Sequence, residues 1–72
     1  MGVSYKRLWK LLIDKDMKKR DLREAAGLGA SLMQNLNRDK GVTTTTLVKI
    51  CAALDCKIED IMEIVPEEEN NG

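Results

Sequence analysis

Seventy-two residues, 43% of them hydrophobic and 33% charged, describe one small domain whose core supplies only about 3 to 5 kcal/mol of net stability. Two cysteines and no histidine leave too few soft ligands for a zinc site and point to reduced thiols in a cytoplasmic setting. The net charge of zero hides a division: residues 1 to 40 hold ten Lys or Arg against five Asp or Glu, and residues 41 to 72 hold two against seven, so the halves carry +5 and −5.

A basic half suits a polyanionic partner as well as a solvated surface. Apolar runs such as Leu11 to Ile13 and Ile50 to Leu54 are far too short to cross a bilayer, and no charged-then-apolar leader precedes the first, so no membrane contact is expected.

From Ser4, read as an N-cap, the residues Tyr5, Leu8, Trp9, Leu12 and Ile13 recur at helical spacing until Asp14 to Asp16. Lys18 to Ala26 predicts a second, short helix with Leu22, Ala25 and Ala26 inward. Gly27 stops it, being the residue most able to take the left-handed C-terminal conformation. Leu28 is then placed to plug the corner, and Gly29 starts a third helix running to about Arg38. Thr43 is the expected N-cap of a fourth helix over residues 44 to 54 that turns Leu47, Ile50, Cys51 and Leu54 inward. Ile58, Ile61, Met62 and Val65 suggest a last short helix ended by Pro66, with a disordered acidic tail over residues 66 to 72. No alternating run proposes a strand. The expectation is an all-α, compact five-helix bundle over residues 1 to 65.

Two helices joined by a short glycine turn form a helix-turn-helix, whose second helix can enter the major groove of DNA. At about 100 degrees per residue, Met33 and Leu36 face one side of the third helix. Ser31, Gln34, Asn35 and Arg38 form a polar stripe on the other, without an acid among them. Serine, glutamine and asparagine donate to and accept from base edges, while Arg38 has the reach for phosphate or base. Lys18 and Lys19 stand at the start of the preceding helix, and Lys40 follows the stripe.

The stretch from Lys19 to Leu36, with Leu22, Ala26, Gly27, Leu28, Met33 and Leu36 at its apolar and turn positions, resembles the Cro and phage-repressor (XRE-like) helix-turn-helix family. "TTTLVKICAALDCKIEDIM" resembles that family's fourth and fifth helices, so the likeness covers about residues 4 to 65. It implies a lambda-repressor-like domain that binds double-stranded operator DNA, usually as a dimer, to regulate transcription. The family's base-reading positions fall on Ala30, Ser31 and Asn35. The first position of its second helix, often glutamine, is Lys19 here, which suits phosphate. The amides at the start of the fourth helix, with Thr43 and Thr44, are placed for a second phosphate.

Three departures from the family pattern stand out. Arg23 occupies a position where a small residue is usual. Leu12 and Asn37 replace an Arg and Glu pair that ties the first helix to the end of the recognition helix in several relatives, so apolar contact or no tie is expected. Gly29 replaces a Ser or Thr cap. Tyr5 and Trp9 are read as core or subunit-contact aromatics.

Without histidine, paired carboxylates on opposing segments or a Gly-rich phosphate loop, the chain offers no catalytic or metal-binding residues, and neither a cofactor nor a small-molecule ligand is expected. The alternative to a DNA reader is a protein-interaction module, such as an antitoxin or regulatory partner, on the same fold. A reader exposes Ser31, Asn35 and Arg38 beside Lys18 and Lys19; a protein-docking face exposes apolar residues such as Leu32.

Overall fold

The computed structural model describes residues 2–66. Their elements run in the order β1 (Gly2–Ser4), α1 (Lys6–Asp14), α2 (Lys19–Ala26), α3 (Ala30–Asn37), α4 (Thr44–Leu54), a 3-10 turn at Ile58–Asp60, and β2 (Glu63–Val65). Residues 67 to 72 of the expected acidic tail lie outside the described residues.

The helices form where apolar residues recur at helical spacing, and each buries a narrow stripe. Tyr5, Leu8 and Leu12 enter the core from the start and inner face of α1, Leu22 and Ala26 from α2, Met33 and Leu36 from α3, and Ile50 and Leu54 from α4. Leu28 and Ile61 complete the cluster from the connections. Ile13 and Ala25 are corrections: both are exposed, Ile13 at 75%. The stripe of α1 is set by Leu8 and Leu12, one turn apart, and Ile13 lies about 100 degrees further round. Leu22 and Ala26 aim α2 in the same way and leave Ala25 outside.

All four helices end alike. Asp16, Gly27, Asp39 and Asp55 take positive φ. The following N–H reaches back five residues: Met17 to the Leu12 carbonyl at 2.8 Å, Leu28 to Arg23 at 2.9 Å, Lys40 to Asn35 at 2.8 Å and Cys56 to Cys51 at 3.1 Å. This is the Schellman arrangement, which satisfies carbonyls that the helix leaves unpaired.

The expected fifth helix is replaced by a turn and a strand. Asp60 Oδ2 accepts from the Lys57 N–H at 3.0 Å, Ile61 drops into the core, and the chain then extends. β2 pairs antiparallel with β1, with Gly2 opposite Val65, Val3 opposite Ile64 and Ser4 opposite Glu63. A segment this short nucleates a helix poorly, β-branched Ile64 and Val65 favour extended backbone, and β1 offers unpaired backbone groups to them.

The same pairing shifts Ser4 out of the N-cap position, although its Oγ still accepts from the Lys6 N–H at 3.3 Å. Ser4 belongs to β1, so Tyr5 becomes the N-cap of α1, without a side-chain cap. The Tyr5 N–H instead donates to Asp39 Oδ1 at 3.0 Å. At the same end of the sheet, Arg7 donates to the Glu59 carbonyl at 2.9 Å and faces Glu63 Oε1 at 3.4 Å, tying α1 to the C-terminal segment.

Candidate nucleic-acid interface

The break between α2 and α3 is built from three residues. Gly27 takes φ 67° and ψ 41°, a conformation that costs an L side chain roughly 1 to 2 kcal/mol. Leu28 is 5% exposed and fills the corner between the helices. Gly29 then sets α3 off from an extended φ of −83° and ψ of 168°, with no side-chain cap. The Lys18 N–H at the head of α2 donates to Asp21 Oδ2 at 2.9 Å, and the carboxylate also favours the positive end of the helix.

With Met33 and Leu36 buried, α3 turns its other side outward. Ala30, Ser31, Gln34 and Arg38 are exposed and Asn35 is half-buried, whereas Leu32 is withdrawn and packs on the edge of the core. Lys18, Lys19 and Lys40 have exposed side chains. Arg23 also lies in solvent, while Leu22, Ala26, Leu28 and Met33 of this region join the core.

Two connections hold the C-terminal end of α3. Behind its C-terminus, the buried Tyr5 donates its hydroxyl to the Lys40 carbonyl at 2.7 Å while its N–H engages Asp39. Burial, and then the neighbouring Asp39 charge, pushes the Tyr5 phenol above its usual range. On the other side, Lys19 Nζ donates to Asn37 Oδ1 at 2.7 Å and lies 4.3 Å from the centre of the Trp9 ring. A tie between the first helix and the end of α3 is therefore present, routed through Lys19 rather than through Leu12, and it is polar. Sequence reading missed this cluster because its members come from three helices, so no local period marks them.

Thr43 caps α4 as expected: its Oγ1 accepts from the Thr46 N–H at 3.3 Å and contacts Thr46 Oγ1 at 3.1 Å. That hydroxyl is turned toward the helix, and Thr44 beside it is exposed. The thiols lie apart from this surface at the end of α4. Both are free, and Cys56 is pushed up to about 11, by burial first and then by the neighbouring Cys51 and Asp60. Such a thiol is a weak nucleophile at neutral pH. No helix among the described residues is long and apolar enough to cross a membrane.

The left-handed glycine, the plugged corner and the outward polar stripe define a helix-turn-helix of the kind that docks on nucleic acid. The chain belongs to the Cro/C1-type helix-turn-helix DNA-binding domain family, with residues 7–67 matched. It is similar to the crystal structure of the transcriptional regulator VanUg, Form II, at 50% sequence identity and a TM-score of 0.89, over 92% of this chain and 88% of that one. No curated protein matches the chain.

Proposed function

We infer that the chain is a cytoplasmic, non-catalytic transcriptional regulator, acting as a repressor, that binds double-stranded operator DNA by inserting α3 into the major groove. The observation that carries this reading is the outer face of α3, where Ser31, Gln34 and Arg38 are exposed while Leu32, half-buried like Asn35, packs on the edge of the core. A face built to dock protein would present its apolar residue instead.

Ala30, Ser31, Gln34 and Asn35 are the base-reading residues. Lys18, Lys19, Arg38, Lys40, Thr43 and Thr44 engage phosphate, with the first amides of α4 aiding the threonines. Residues 1 to 65 form the binding domain and the acidic tail lies beyond it. On DNA the chain works as a two-fold dimer, in contact through the turn after α4 and Ile64 or Val65, with half-sites about 10 base pairs apart.

The test is a titration of duplex DNA across a salt series. Each phosphate neutralised contributes roughly −0.9 to the slope of log K against log salt. A steep negative slope is expected. Salt-independent binding, or no binding to random or genomic duplexes at low salt, overturns the reading in favour of a protein-interaction module.

A further inference from the structure

We propose that Trp9 and Asn37 are positioning residues that hold the Lys19 ammonium as a pre-set phosphate anchor at the junction of α1, α2 and α3. This deepens the DNA-binding reading and rests on it.

The geometry is specific. Lys19 opens α2, Trp9 lies on α1, and Asn37 is the last residue of α3. The ammonium sits 4.3 Å from the centre of the Trp9 ring, whose electron-rich face attracts a cation. It donates one hydrogen bond, at 2.7 Å, to Asn37 Oδ1. A lysine ammonium carries three donors, so two remain for a phosphate oxygen. Trp9, Leu12, Ile13 and Met17 line an apolar groove together with Lys19, which gives the aliphatic stem a fixed course.

A free surface lysine gives up its rotamer freedom when it meets a phosphate; this one has given up most of it beforehand. The same bonds fix the end of α3 against the start of α2, so the anchor and the reading helix are set in one geometry. Charge and position are thereby separable by mutation.

The experiment measures binding of the full chain to a duplex selected from a random pool, across a salt series, with a thermal melt of each variant. Lys19→Met removes a charge and lowers the salt slope by about one unit. Trp9→Leu and Asn37→Ala leave the charge in place, so the slope stays at the parent value while affinity falls roughly three- to ten-fold at every salt concentration. Trp9→Phe keeps an aromatic face and recovers part of the loss. Trp9 is the one tryptophan of the chain, so its emission also reports the lysine without DNA: Lys19→Met changes it in the free protein.

Parent-like affinity of both Trp9→Leu and Asn37→Ala overturns the inference alone, as does a slope lowered to that of Lys19→Met. Asn37 is exposed, so Asn37→Ala and Trp9→Phe decide the matter even where Trp9→Leu fails to fold. Absence of binding by the unsubstituted chain overturns the DNA-binding reading and this inference with it.

Discussion

At Gly27 the backbone takes φ 67°, whereas Gly29, two positions on, holds φ −83° and has nothing within 4 Å of where a side chain would begin. The two glycines should therefore answer substitution with opposite signs. Gly27→Ala is expected to lower stability by about 1 to 2 kcal/mol through left-handed strain. Gly29→Ser supplies the missing cap of α3 and is expected to raise stability by a few tenths of a kcal/mol. Denaturant midpoints, with unchanged slopes, check both. Tyr5 is another residue whose hydroxyl can be tested alone. Its hydroxyl serves the Lys40 carbonyl, so Tyr5→Phe is expected to cost about 1 to 2 kcal/mol by leaving that acceptor unpaired. A loss below a few tenths would mean that water replaces the hydroxyl.

Among the elements, the helix ends share one construction with unequal side chains. Asp55 occupies the left-handed position after α4, and among the described residues no hydrogen bond to another element depends on its side chain. Asp39 occupies the same position after α3 and accepts from Tyr5. Asp55→Gly relieves the backbone and should stabilise by a few tenths of a kcal/mol, while Asp39→Gly should destabilise by about 1 kcal/mol because the Tyr5 N–H loses its acceptor. Equal effects from the two would refute the assigned role of Asp39. On α3 itself the outward stripe is proposed to divide into reader and anchor. Asn35 lies in the middle of the helix and can pair with the donor and acceptor edge of adenine, worth roughly 1 to 3 kcal/mol of discrimination when bidentate. Arg38 stands at the helix end with reach and charge for phosphate. Site selection should show Asn35→Ala relaxing preference at one base position and Arg38→Ala weakening all duplexes alike. The reverse pattern would exchange their roles.

With ten basic residues among its first forty and seven acidic ones after them, the molecule is expected to act as an electrical dipole, its basic half carrying α2 and α3 and its acidic half carrying the turn and strand that follow α4. Such a division steers the basic side toward a polyanion while keeping the opposite side away from it. The paired form expected on DNA predicts two chains per site at saturation; light scattering that finds one rejects it. Stability should also respond to alkali. The Cys56 thiol titrates at about 11 in the fold against an ordinary 9.0, and the Tyr5 phenol is raised as well. A raised pKa contributes stability that is fully present below the unfolded value and is lost as pH climbs through the folded one. Melting temperature is therefore expected to fall between about pH 9 and 11, with a shallower fall in Cys56→Ala. An unchanged profile in that variant would remove Cys56 as a cause.

The helix-turn-helix was legible from residues alone because its signals are local: a glycine free to go left-handed, a leucine to fill the corner, and apolar residues three and four apart. Thr43 could be read as a cap for the same reason, since the bond it makes spans three residues. The outward stripe of α3 followed from the burial of Met33 and Leu36, which the helical period dictates. What the chain does at its two ends depended on contacts that no local window contains. Residues 63 to 65 are strand because residues 2 to 4 lie beside them, and that pairing also moved the N-cap of α1 from Ser4 to Tyr5. Asp39 serves Tyr5 across 34 residues, and Lys19 reaches Asn37 across 18. Local sequence set where each helix begins, ends and faces; tertiary packing decided which backbone and side-chain groups found partners, because an unpaired polar group takes whichever neighbour the fold brings within reach.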